Sequence, residues 1–151
     1  MSEYRVAILG CGSRGGHAGR AYRAHPRTKV VGLCDVVEER LTKLGDELGV
    51  SPRYTDLDIM IEEVKPDIVA IPTGTEYHYP LCMKVLEHGV NIDVEKPVAI
   101  DLEQADRFVA RTEELGLTVA VHTQHRVSPT LRSAHAAMNS GRIGKLRYIY
   151  A

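Results

Sequence analysis

The sequence predicts an α/β domain built on a doubly wound parallel sheet. Short apolar runs rich in β-branched residues recur at 6–9, 29–34, 68–71, 90–94 and 117–121, with a weaker one at 53–55. Such runs between turn signals are what strands buried on both faces look like. Between them lie segments whose apolar residues recur every three or four positions, so the order is βα, repeated. That order requires parallel strands with helices on both faces of the sheet. No internal repeat or low-complexity tract interrupts it, and 151 residues suffice for one core without covalent staples.

Each element has a local reason. The run at 6–9 ends in Gly10, and a glycine-rich turn leads into the first helix. After the second run, Val37, Leu41, Leu44 and Leu48 fall on one helical face. Asp56 is a good N-cap for a third helix carrying Leu57, Met60, Ile61 and Val64. Pro80 is suited to open the fourth helix and Gly89 to close it after His88. Asp101 and Gln104 resemble a capping box, starting a fifth helix with Leu102, Ala105, Phe108, Val109 and Leu115 on its apolar side. Six strands fit, with the sheet closing near Val121. Residues 129–140 then read as one more helix, and 144–151 as the opening of a further strand. Asp93, in the middle of an apolar strand, has no account from the sequence.

Composition narrows the function. Nineteen Lys and Arg against twenty Asp and Glu leave a formal charge of −1, which excludes the basic field that nucleic-acid and membrane-surface binding require. Seven Tyr and one Phe, with no Trp, are too few for base-stacking platforms. Three widely spaced cysteines, Cys11, Cys34 and Cys82, show no metal-ligand spacing and read as reduced thiols of a cytoplasmic protein. No apolar run is long enough to span a membrane.

The clearest motif is Gly10-Cys11-Gly12-Ser13-Arg14-Gly15, a GxGxxG between a strand and a helix. Asp35 stands twenty residues further on, at the end of the second strand. In that context the pattern is a dinucleotide-binding fingerprint. Gly10 makes the tight turn, Gly12 lets a pyrophosphate approach the backbone, and Gly15 packs helix on strand. The amides of Ser13 and Arg14 face the phosphates from the helix N-terminus. Arg14 either adds charge there or points to solvent. Asp35 would accept hydrogen bonds from the adenine ribose, which favours NAD over NADP. Cys11 is either activated by the helix start or packed beneath the loop.

Ligands of such sheets sit outside the carboxyl ends of the strands. The other unusual residues gather there: Pro72, Thr73, Gly74 and His78 after the fourth strand, Glu95-Lys96-Pro97 after the fifth, and His122, Gln124, His125 and Arg126 after the sixth. Lys96, ending a buried strand, can lose part of its hydration and polarise a carbonyl or hold a hydroxyl; otherwise it is a solvated turn lysine. His78 either contacts the cofactor or bonds the backbone near its helix start. His122 and His125 lack a third ligand, so no metal is expected.

Together, the glycine loop, Cys34-Asp35-Val36 and above all Glu95-Lys96-Pro97 resemble the Gfo/Idh/MocA family of glucose–fructose oxidoreductase and inositol dehydrogenase relatives. The stretches 86–90, 126–129 and 141–144 extend the resemblance over essentially the whole chain. It implies a Rossmann domain over 1–126, then a connecting helix and the first strand of an incomplete substrate domain over 127–151. It implies hydride transfer between NAD(P) and a sugar, inositol or related polyol, with Lys96 touching both the nicotinamide region and the substrate oxygen. Thr73, His78, Glu95 and Gln124 would line the cofactor cleft, and the Lys96–Pro97 peptide would be cis. The family's second domain binds substrate and supplies the second catalytic group, so this chain alone is expected to be inactive. The intact protein would have room to form a homo-oligomer. The competing reading is a stand-alone dinucleotide-binding module that senses redox state without catalysis. A sensor has no need of a substrate-polarising lysine.

Overall fold

A computed structural model describes residues 3–148. Its six strands are β1 (Tyr4–Leu9), β2 (Thr28–Cys34), β3 (Arg53–Tyr54), β4 (Ile68–Ile71), β5 (Asn91–Glu95) and β6 (Val119–His122). All pair in parallel, in the order β3-β2-β1-β4-β5-β6. The helices between them are α1 (Ser13–Ala24), α2 (Glu38–Leu48), α3 (Leu57–Val64), α4 (Thr75–Glu87) and α5 (Leu102–Leu115). This is the doubly wound arrangement expected, and the strand order reverses between β1 and β4, where such sheets bind ligands.

The pleat divides the core into two layers. Val6, Ile8, Leu33 and Ala70 point to one side and pack against Leu41, Leu44 and Leu48 of α2. Ala7, Leu9, Val69, Ile71, Ile92 and Val94 point to the other, against α3, α4 and Phe108 of α5. Successive side chains on a strand face opposite ways, so near-continuous apolar runs are what two covered faces require. Helix α1 buries only small residues, Gly15, Gly16, Ala18 and Gly19. A Cβ at Gly19 would stand 2.5 Å from Leu48 Cδ1, so the small face is what lets α1 lie close to α2 and the sheet.

Four expectations are corrected. Helix α4 starts at Thr75 rather than at Pro80, which is its sixth residue. The ring's fixed φ suits a helix, and only one backbone donor is lost there. Helix α5 buries Phe108 alone, while Leu102 and Val109 are exposed. Strand β6 is the sheet edge, with Ala120 and Val121 exposed, so it is not covered on both faces. After β6 come a 3-10 turn (Gln124–Val127) and helix α6 (Pro129–Asn139), which has Pro at its first turn and buries none of its residues. Residues 145–148 carry no strand, since nothing described pairs with them, and 149–151 of the expected strand lie outside the described residues.

Candidate functional site

The glycine loop is shaped by contacts that leave no room for side chains at two positions. Gly10 has φ +107°, and a Cβ there would stand 2.7 Å from Thr73 Cγ2. A Cβ at Gly15 would stand 2.0 Å from the Gly10 carbonyl oxygen. At Gly12 a Cβ would meet nothing of the protein within 4 Å, so the space before the loop is open to a ligand. The first turn of α1 follows with no acidic side chain, leaving its amides and the positive helix end facing that space.

Asp35 follows β2 directly and is 7% exposed. Its Oδ2 accepts from the Cys11 amide at 2.7 Å and its Oδ1 from the Val37 amide at 2.9 Å. It therefore fastens the glycine loop to the end of β2, and each oxygen keeps acceptor capacity for a further donor. Cys11 lies beneath the loop, and burial first, then Asp35, pushes its thiol up to about 12. Cys11 is a packing residue and not a nucleophile.

Between the ends of β1, β2 and β4 runs a cleft of about 500 Å³, lined in part by Gly12, Ser13, Arg14, Asp35, Thr73 and Tyr77. Arg40 also lines it. Arg40 falls outside the glycine-loop fingerprint, and its place five residues beyond Asp35, in the first turn of α2, is the sequence signal for it. A second depression of about 280 Å³ adjoins, lined by Arg14, Pro72, Glu95, His122 and Gln124. Arg14 and Pro72 border both.

The structure thus places Gly10, Gly12, Ser13, Arg14, Asp35 and Thr73 around the first hollow, and Arg14, Glu95 and Gln124 around the second. His78 is different. Its ring is 1% exposed, with Nδ1 2.6 Å from the Pro97 carbonyl and Nε2 3.1 Å from the Thr73 carbonyl. Both nitrogens are engaged in tying together the loops after β4 and β5, the backbone alternative of the two readings. Lys96 follows β5 directly, is exposed, and precedes a cis peptide to Pro97. The desolvation anticipated for its amine is not supplied by the described residues.

Asp93, unexplained by sequence, is 7% exposed on the α1 side of the sheet. It accepts from the Tyr22 hydroxyl of α1, and its Oδ1 lies 2.8 Å from His122 Nε2. Burial and the adjacent Asp93 raise the Tyr22 pKa, so the phenol keeps its proton as a donor. Among the described residues, no group of three or more His, Cys, Asp or Glu is placed to hold a metal, and no helix is long and apolar enough to cross a membrane.

A glycine loop under a helix N-terminus, an acid closing β2 and a sheet of this order together define a dinucleotide-binding Rossmann domain. The chain belongs to the Gfo/Idh/MocA family: the family profile described as "Oxidoreductase family, NAD-binding Rossmann fold" matches residues 4–123. It is 31% identical to scyllo-inositol 2-dehydrogenase (NAD(+)) of Bacillus subtilis, over 97% of this chain and 43% of that protein. It is 30% identical to a D-apiose dehydrogenase of Paraburkholderia graminis, over 95% of this chain and 38% of the relative. Among solved structures, an oxidoreductase from Agrobacterium radiobacter in complex with NAD+, L-tartaric acid and magnesium superposes with a TM-score of 0.89 at 27% identity, over 95% of this chain and 42% of that one. The chain spans about two-fifths of the length of the curated relatives it matches.

Proposed function

We propose that this chain is the nucleotide-binding part of an NAD-dependent dehydrogenase acting on a sugar, an inositol or a related polyol. The observation that carries the reading is Lys96, which follows β5 directly beside Glu95 in a domain whose glycine loop is open at Gly12. The named relatives, which oxidise sugars and inositols, support the substrate class. The bound nicotinamide supplies hydride transfer. The protein's own part is to hold the pyrophosphate on the amides of Ser13 and Arg14, the adenosine ribose on Asp35, and the nicotinamide end near Thr73, Glu95 and Gln124. In oxidation Lys96 Nζ accepts the hydroxyl proton as hydride leaves the same carbon, and in reduction it returns that proton to the carbonyl oxygen.

NAD is the preferred cofactor on this reading. Asp35 offers a charged acceptor to the ribose 2′-hydroxyl, an interaction of about 1.5–3 kcal/mol, whereas a 2′-phosphate would bring about −1.5 to −2 of charge against it. Arg40, on the same wall, acts in the opposite direction. Calorimetric titration with both cofactors decides between them. NAD binds at least about tenfold more tightly if Asp35 governs, a margin of about 1.4 kcal/mol. Equal or tighter binding of NADP transfers that role to Arg40.

A further inference from the structure

Asp93 is costly where it stands. A carboxylate inside a sheet, with Ala70 and Ala120 as its strand neighbours, gives up hydration that an apolar side chain would not need. Its compensation comes from Tyr22 on one side and from His122 on the other. The arrangement does not stop there. His122 stands opposite Glu95 in the β5–β6 register, and its Nδ1 lies 3.5 Å from Glu95 Oε1. The same Glu95 oxygen is 3.9 Å from Arg14 Nη1, in the first turn of α1, and Glu95 Oε2 accepts from the Lys96 amide at 3.3 Å. Glu95 is nearly buried, with its side chain 13% exposed. A line of polar contacts therefore runs from the last turn of α1, along the α1-facing side of the sheet, to the strand end where Lys96 begins. Tyr22 and Arg14 anchor it at the two ends of one helix.

We propose that His122, oriented by Asp93, is a positioning residue: it fixes the Glu95 carboxylate so that the Glu95–Lys96 edge presents one geometry to the nicotinamide end of a bound dinucleotide. This rests on the dinucleotide-binding reading above. The imidazole is suited to the task because its two nitrogens point in opposite directions, one to each carboxylate, both donating when the ring carries two protons, and the ring has only two torsions to fix. A support confined to folding would need no reach to Glu95, since Tyr22 and His122 already satisfy Asp93.

The test separates positioning from support and uses the 151-residue chain. Affinities for NAD and for ADP-ribose, which lacks the nicotinamide ring, are measured by calorimetry for the wild type, His122→Ala, Glu95→Gln and the double variant. The expected result is that the wild type binds NAD more tightly than ADP-ribose. His122→Ala then lowers NAD affinity about five- to tenfold and leaves ADP-ribose within about twofold. In the Glu95→Gln background, removing His122 has no further effect, the non-additivity expected of residues that act through one another. If His122→Ala does not fold, His122→Gln, which keeps a donor for Asp93 without a second ring nitrogen, takes its place in the cycle. An unchanged NAD to ADP-ribose ratio, or additive losses, overturns the positioning role even if the melting temperature falls. A wild type that binds neither ligand overturns the dinucleotide reading as well.

Discussion

Lys96→Ala, in an enzyme that carries this domain together with the remainder its relatives possess, lowers turnover about 10²–10⁴-fold. The melting temperature of the same variant stays within about 2 °C, because Lys96 is exposed and supports no core packing. The two readouts separate chemistry from fold. A group that moves a proton at the substrate oxygen acts in the transition state, so its loss falls on kcat, while KM for NAD is little changed. Steady-state kinetics with inositols and common sugars check this. Full turnover with Ala at position 96 would return the lysine to an ordinary solvated turn.

Two glycine substitutions, three positions apart in the loop, should fail in different ways. At Gly15 a new Cβ meets the Gly10 carbonyl at 2.0 Å, a backbone group with nowhere to go. The loop or α1 must shift, an overpacking cost of about 1–3 kcal/mol. Gly15→Ala should therefore lower the melting temperature by about 2–10 °C and abolish measurable NAD binding. At Gly12 a Cβ touches nothing in the protein. Gly12→Ala should melt like the wild type yet lose NAD affinity by about tenfold or more, because the methyl group fills space reserved for the pyrophosphate. Thermal denaturation paired with NAD titration reads both. Equal behaviour of the two variants would mean that the loop serves only to turn the chain.

What was legible in the sequence was local. The strands announced themselves because β-branched runs such as 68–71 have few other uses, and Asp56 capped α3 as its neighbours required, accepting from the amides of Asp58 and Ile59. The glycine loop and Asp35 were legible because their constraint is a fixed spacing along the chain. Asp93 was not. Its partners, Tyr22 and His122, lie 71 and 29 residues away in sequence, and only strand register and the placing of α1 bring them together. His78 could not be assigned for the same reason, since the Pro97 carbonyl it meets belongs to another loop. The apolar residues of α5 and β6 misled in the other direction: their pattern is that of buried elements, yet Leu102, Val109 and Val121 are exposed at the sheet edge. Periodicity reports which face is apolar, and says nothing about what covers it.

The central proposal is that these 151 residues form the nucleotide half of a dehydrogenase site. Hydride transfer needs substrate held about 3–3.5 Å from the nicotinamide, hence a second wall over the cleft. After Gln124 the described residues offer only a short turn and a helix with no buried residue. The most direct measurement is the thermal stability of this chain against NAD concentration, with NAD reduction assayed in parallel on inositols and common sugars. At about one hundred times the dissociation constant, NAD binding contributes about 2.7 kcal/mol, a rise of about 5–10 °C in melting temperature. The expected result is that rise with no sustained turnover. Turnover by this chain alone, or a melting temperature indifferent to NAD, would contradict it.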